Sequence, residues 1–166
     1  MHNKGFTIFE IIIVVAIMLV ILGGGFFISI QSYFSYGTAS QRNLLTSILL
    51  KARNEAVNNV CFGGTCTTGV PHGVKIIYDS ATHEIQKYVL FQGAQYNPTD
   101  PFNQDIGVNY QLFYLTTNSN PVSEIAFDQL TGKVNLGGNS TGSIEISDNA
   151  KHLYTITINS EGGISW

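Results

Sequence analysis

Polar and apolar positions divide the chain into stretches with different periodicities. Residues 1–5 are polar, and residues 6–30 form one apolar run that is interrupted by Thr7, Glu10, three glycines and Ser29. At about 1.5 Å per helical residue, residues 11–30 would span roughly 30 Å, the thickness of one hydrocarbon core. The pattern therefore predicts a short leader at 1–5 and a transmembrane helix at 6–30.

The apolar positions take a helical spacing between residues 38 and 60. Apolar residues recur there at steps of three and four, at Leu45, Ile48, Leu49, Ala52, Ala56 and Val60. The opposite face is polar, with Gln41, Asn43, Lys51, Asn54 and Glu55. This spacing predicts an amphipathic helix that continues the first one and that needs a cover over its apolar stripe.

Beyond residue 69 the chain changes to short runs rich in Val, Ile, Tyr, Phe and Thr. These runs predict strands at 73–79, 84–92, 107–115, 122–128, 133–136, 142–148, 152–158 and 163–166. Turn sequences at 79–82, 130–132 and 161–163 favour antiparallel hairpins. We therefore expect an α+β fold, in which a long helix packs on an antiparallel sheet in a globular domain that covers residues 31–166.

Composition and charge argue against most catalytic and nucleic-acid-binding classes. Hydrophobic residues make up 44% of the chain and charged residues 11%, with a net charge of -3. The histidines show no pair at a helical spacing for a metal, and they are His2, His72, His83 and His152. The segment 138–142 has the letters of a hydrolase nucleophile elbow, but a strand follows it instead of the required helix. We expect neither an enzyme nor a nucleic-acid-binding surface.

Glu10 is the anomaly of the apolar run, because a carboxylate at the centre of a bilayer costs about 3 kcal/mol and usually marks a functional partner. The only small residue at a boundary of the run is Gly5. Cleavage between Gly5 and Phe6 would leave the helix on the protein and create a cationic amino group four residues before Glu10. That amine, in the same or a neighbouring chain, is a candidate partner for the carboxylate.

The string Lys4-Gly5-Phe6-Thr7-Ile8-Phe9-Glu10 with the following apolar run resembles the type IV prepilin signature. The resemblance implies that an aspartyl prepilin peptidase removes residues 1–5 and methylates the new terminus at Phe6. It also implies that Glu10 pairs with the Phe6 amine of an adjacent subunit while the helices bundle into a filament core. The alternative is a plain membrane anchor with an incidental Glu.

Many major pilins have a helix-breaking proline in this helix, and residues 23–25 of this chain are three glycines instead. Each glycine weakens a helix by about 1 kcal/mol relative to alanine, so the helix could bend there. Close packing of helices through small residues is the other interpretation.

A narrower resemblance lies in the second half of the helix. Ala52-Arg53-Asn54-Glu55-Ala56 is similar to the helix of GspH/FimT-like minor pseudopilins, and so are the strands around residues 73–76, 125–132 and 156–162. The resemblance implies a minor pilin or pseudopilin and a type IV pilin-like fold. The two resemblances together cover most of the chain, and residues 93–121 are the part that they cover least.

Two further groups of residues are candidates for a disulfide and for a calcium site. Cys61 and Cys66 lie just after the helix, and we expect them to form a disulfide outside the membrane, with reduced thiols as the alternative and too few ligands for zinc. Asp100, Asn103 and Asp105 supply oxygens in one loop, but they are too few for a full calcium shell, so we expect no metal or other cofactor.

The expected function is structural. Lys4 and the absence of Lys or Arg between it and Arg42 predict a cytoplasmic amino terminus and a domain outside the inner membrane. The resemblance adds the partners: other pilins, the prepilin peptidase and an inner-membrane assembly platform. It also adds a final place in a pilus or pseudopilus, in the periplasm or at the cell surface. DNA capture and a tip adhesin or secretion-substrate receptor are the alternatives, and residues 159–166 lack the cations that DNA capture requires.

Overall fold

The computed structural model of the protein describes residues 7–63, 69–115, 121–136, 139–149 and 151–166, with the backbone alone for residues 25–35. The chain divides into two compact units, Met1–Tyr36 and Gly37–Trp166. Within the described ranges a helix precedes the strands, and all ladders between named strands are antiparallel. The predicted α+β class is therefore confirmed.

The helix α1 covers Ile8–Val57 and contributes to both units. The strands are β1 His72–Tyr78, β2 Ile85–Gln92, β3 Gln104–Gly107, β4 Phe113–Leu115, β5 Glu124–Phe127, β6 Thr141–Ser147, β7 Leu153–Asn159 and β8 Ile164–Ser165.

The strands form two sheets, where the sequence predicted one. The first sheet has the order β3-β2-β1-β5 and the second the order β4-β6-β7-β8. The predicted strand at 107–115 was wrong, because β3 ends at Gly107 and β4 begins at Phe113 in the other sheet. Val108 and Leu112 between them pack into the core instead of pairing in a ladder. The predicted strand at 133–136 is a single bridge between Val134 and Phe127.

A single core joins α1 to both sheets. Its largest fully buried side chains include Tyr88 and Phe127 from the first sheet, Tyr114 and Ile144 from the second, and Leu45 from α1. The predicted apolar stripe of the helix is buried, with the residues Leu45, Ile48, Leu49, Ala52 and Ala56. Each large aliphatic or aromatic side chain removed from water contributes about 1.5–3 kcal/mol, so this stripe holds the helix on the sheets.

The polar face of the helix was predicted incorrectly at Gln41, which is buried. Thr38 and Thr46 are buried as well. Because residues of both sheets share one core with the helix, the covered part of the helix surface is wider than a stripe against one sheet would be. A helix with cover on more than one side buries polar positions that a simple two-faced pattern assigns to solvent.

The helix ends at Val57, three residues earlier than predicted, because Asn59 takes a left-handed backbone conformation with φ of 56°. The Val60 amide donates to the Glu55 carbonyl at 2.9 Å, and the Asn59 amide donates to the Ala56 carbonyl at 3.2 Å. This pair of bonds is the Schellman motif, in which the residue after the helix satisfies carbonyls of the last turn. Val60 therefore lies outside the helix.

The loop after β2 covers the outer face of the first sheet. The Tyr96 ring meets the buried Phe91 edge-on at 5.8 Å, and the Tyr96 amide donates to Glu124 Oε1 at 2.9 Å. Phe102 is more exposed, and its ring lies against Gly63. Tyr96 and Phe102 thus pack against neighbouring parts of the domain.

Two turns, one from each sheet, meet beside Arg53 of the helix. Gly132 and Gly162 both have positive φ, at 65° and 78°. A Cβ atom on Gly162 would lie 1.9 Å from the Gly132 carbonyl oxygen and 3.1 Å from Arg53 Nε. Only glycine combines this backbone conformation with so close an approach. Arg53 and the two turns therefore join the helix to both sheets at one point.

Candidate functional site

The start of the helix is organised by Thr7 and Glu10. The Thr7 amide and hydroxyl donate to Glu10 Oε2 at 2.9 and 2.8 Å, and the Glu10 amide donates to Thr7 Oγ1 at 3.3 Å. Since α1 begins at Ile8, Thr7 is its N-cap residue and Glu10 its third residue. The pair forms a capping box, which satisfies amides at a helix start that have no partner within the helix.

The capping box gives the Glu10 carboxylate a defined direction toward the amino terminus. Its negative charge also lies in the first turn, where the helix dipole favours an anion. The carboxylate is exposed, and among the described residues only its Oε2 atom accepts hydrogen bonds, both from Thr7. The arrangement can therefore receive a cation that arrives next to the helix start.

The other predicted site residues of this end, Gly5 and Phe6, lie outside the described residues. Cleavage after Gly5, methylation of Phe6 and the pairing of the Phe6 amine with Glu10 stay predictions. Thr7 was missed as a functional residue, although the spacing of Thr7 and Glu10 is that of a capping box and could have identified it.

The side chains described between Thr7 and Gly24 are all exposed, and most of them are large and apolar. A helix that is apolar all round is normally surrounded by lipid or by other protein. In the described part of the chain, no helical stretch combines the length and the apolar character that crossing a membrane requires.

Comparison with known proteins identifies this amino-terminal segment. Residues 1–26 match the family described as the prokaryotic N-terminal methylation motif. The chain carries a type IV prepilin-like signal. The match includes Gly5, Phe6, Thr7 and Glu10 and ends within the apolar run. No curated protein and no solved structure matches the chain.

The observed fold can be compared with the one that a prepilin-like signal normally precedes. A long amino-terminal helix followed by an antiparallel β domain is the order of elements in a type IV pilin-like α+β fold. The observed order of elements is therefore consistent with a type IV pilin-like fold, and the family match itself covers residues 1–26. The likeness of residues 52–56 and of the strands to GspH/FimT-like subunits stays a prediction.

The disulfide prediction concerns the segment after the helix. Cys61 is disulfide-bonded, and Cys66, the second cysteine of the chain, lies outside the described residues. The backbone amide and carbonyl of the intervening Phe62 both bond the side-chain amide of Gln92, each at 3.1 Å. The base of the loop is thus attached to β2.

Replacing Cys61 with serine should lower the stability of the domain by about 2 kcal/mol, the loop-closure entropy of a short disulfide loop. Thermal unfolding of the full chain in detergent measures this loss. If Cys61 pairs with Cys66, the Cys66→Ser variant should lose as much, and the double variant should lose no more than either single variant. Losses that add up in the double variant would show that the two residues are not bonded to each other.

The candidate calcium residues have other partners. Asp105 pairs with Lys87, and Asp100 Oδ1 accepts the Phe102 amide at 2.8 Å. Asn103 donates its side-chain amide to the Asn97 carbonyl at 2.7 Å. Within the described ranges no three His, Cys, Asp or Glu side chains come together in a way that could hold a metal ion.

A buried carboxylate fixes the first helical residues of the second unit. Asp148 Oδ2 accepts the Thr38 hydroxyl at 2.7 Å and lies 2.9 Å from His152 Nδ1, and Asp148 Oδ1 accepts the His152 amide at 2.9 Å. Burial raises the pKa of Asp148, but the hydrogen bonds from Thr38 and His152 outweigh it and lower the pKa below its usual value. Nearby, the Arg42 guanidinium lies 5.3 Å from the centre of the Tyr154 ring.

The lowered pKa of Asp148 has a consequence at acid pH. The unfolded chain binds the proton more tightly than the folded one, so the stabilisation is present above pH about 4 and is lost as the pH falls through the lower pKa of the folded state. Replacing Thr38 with valine should lower the free energy of unfolding by about 1–2 kcal/mol at pH 7. The stability that this variant then loses on acidification should be smaller than the loss in the wild type. Thermal unfolding at pH 7 and pH 3 checks this, and an unchanged loss on acidification would contradict it.

Proposed function

We propose that this protein is a minor pilin or pseudopilin, a structural subunit that assembles into a type IV pilus or a type II secretion pseudopilus. The observation that carries the proposal is the prepilin-like signal at residues 1–26, in which the structure places the Glu10 carboxylate at a capped helix start. In the proposed mechanism the peptidase cuts between Gly5 and Phe6 and methylates Phe6. The new amine of one subunit then pairs with Glu10 of its neighbour.

The mechanism assigns complementary roles to Thr7 and Glu10. A carboxylate in an apolar surrounding is stable only with a partner, and Thr7 supplies two donors before assembly. In the assembled filament the Phe6 amine of the neighbour adds an opposite charge to the same carboxylate. The pairing favours the register that places the two together, because any other register leaves a carboxylate or an amine without its counter-charge.

The apolar helix serves two environments in turn. Before assembly, residues 6–30 would cross the inner membrane once, with the amino terminus in the cytoplasm and the domain outside. This proposed span extends beyond the residues whose side chains the structure describes, since it includes Phe6 and residues 25–30. On assembly the exposed apolar side chains between Ile8 and Leu22 would exchange lipid for the helices of neighbouring subunits.

The minor-subunit part of the proposal is supported by the helix motif at residues 52–56. Arg53 of this motif lies where the turns at Gly132 and Gly162 meet, so the positions that resemble GspH/FimT-like subunits are also neighbours in space. A position near the filament tip, where such a subunit would begin assembly or contact cargo, follows from this resemblance.

The charges of the domain do not favour DNA capture as a second function. Lys75, Lys87 and Lys133 each pair with a carboxylate, at Glu124, Asp105 and Glu161 respectively. Cations that are already neutralised in this way add little to the phosphate attraction that dominates DNA binding.

The proposal is tested by expressing the full chain together with a pilus or secretion apparatus, with and without its prepilin peptidase. We expect the protein in the sheared filament fraction only when the peptidase is present. Equal amounts in that fraction without the peptidase would contradict the proposal.

A further inference from the structure

His72 is a buried histidine that the proposed function does not use. It is the first residue of β1 and is 1% exposed. Its Nε2 atom lies 2.9 Å from the Val60 carbonyl oxygen, and its Nδ1 atom lies 3.4 Å from Glu55 Oε2. Both ring nitrogens therefore face oxygen atoms that accept hydrogen bonds.

A neutral imidazole has one N–H group and cannot donate to both oxygens. If Nε2 donates to Val60, the lone pair of Nδ1 faces the carboxylate oxygen of Glu55. That oxygen is buried and has no hydrogen-bond partner among the described residues. Two lone pairs facing each other at buried atoms are unfavourable, and one added proton between Nδ1 and Oε2 turns this contact into a charge-assisted hydrogen bond.

Among the described residues around the imidazole, no other group supplies that proton. From the helix, Lys51 Nζ lies 3.7 Å from Glu55 Oε1, the other carboxylate oxygen. From the loop, the Phe62 ring meets the imidazole edge-on at 5.9 Å. The residues opposite His72 in the two neighbouring strands are the uncharged Gln92 and Phe127.

We propose that His72 and Glu55 hold one added proton between them and act as a proton-dependent clamp on the base of the disulfide loop. The clamp joins the last turn of α1, through Glu55, to the Val60 carbonyl directly before Cys61. The Val60 amide also bonds the Glu55 backbone carbonyl, at 2.9 Å. The clamp is closed when the pair is protonated and weakens as rising pH removes the proton, so the loop base becomes more mobile on the alkaline side.

The clamp is tested by amide hydrogen exchange of the full chain in detergent between pH 6 and pH 9, after correction for the intrinsic effect of pH on exchange. For the wild type we expect the protection of a peptide that covers residues 58–63 to fall roughly tenfold across this range, as one charge-assisted hydrogen bond is lost.

The informative variant is Glu55→Gln, because the glutamine amide can donate to the lone pair of a neutral imidazole and needs no added proton. Its protection should be independent of pH. The Lys51→Gln variant is the matched control and should keep the pH dependence of the wild type. A wild-type protection that does not change with pH would overturn the proposal, and so would the same change in Glu55→Gln as in the wild type.

Discussion

Glu10→Ala is expected to reduce the amount of this protein in filaments by roughly tenfold or more. Removing one member of a desolvated charge pair costs about 2–5 kcal/mol, and about 1.4 kcal/mol already corresponds to a tenfold change. The variant should still be cleaved and should remain in the membrane fraction, because the Gly5–Phe6 junction and the apolar run are unchanged. Immunoblots of sheared filaments and membranes measure both quantities.

Glu161→Ala is the matched control for this prediction. Glu161 is an exposed carboxylate that pairs with Lys133 on the surface of the domain, and its loss should leave incorporation unchanged. Thr7→Val, which removes the hydroxyl but keeps the backbone amide, should give an intermediate reduction. Normal incorporation of Glu10→Ala would refute the proposed pairing.

Gly162→Ala should destabilise the domain by about 3 kcal/mol, the largest stability effect that we expect from a single methyl group. The added Cβ would meet the Gly132 carbonyl oxygen at 1.9 Å, and the positive φ of 78° would strain any other residue there. The two turns would have to separate, and the packing against Arg53 would be lost with them. A decrease in Tm of about 10 °C should follow for a domain of this size.

Gly107→Ala provides the comparison for Gly162→Ala. Gly107 is the last residue of β3, and no heavy atom lies within 4 Å of the position that its Cβ would occupy. This substitution should change Tm little. Equal effects of the two substitutions would mean that the contact between the turns does not hold the helix and the sheets together.

The elements that sequence could predict are those that depend on local pattern. The stripe from Leu45 to Ala56 repeats with the period of a helix and is buried as predicted. The turn at residues 79–82 was also predicted from the sequence. In the structure the Asp79 carboxylate accepts the amides of Ala81 and Thr82 between β1 and β2. The split into two sheets depends on which distant strands pair, and a pattern of short apolar runs carries no information about that.

Sequence reasoning missed the capping role of Thr7, the end of the helix at Asn59 and the position of His72. The spacing of Thr7 and Glu10 is that of a capping box, but a charge in an apolar run also predicts a charged partner, and that interpretation does not include the capping role of Glu10. Asn59 ends the helix through a left-handed conformation, which asparagine favours more than most residues do. The position of His72 against Glu55 could not be predicted, because it requires β1 to begin beside the end of the helix.

The most direct test of the central claim is the mass of the amino-terminal peptide of the protein isolated from cells with an active prepilin peptidase. The account predicts a peptide that begins at Phe6 and carries one added methyl group on its amino terminus. A mature protein that still begins at Met1, or one that begins after the apolar run at residues 6–30, would contradict the account.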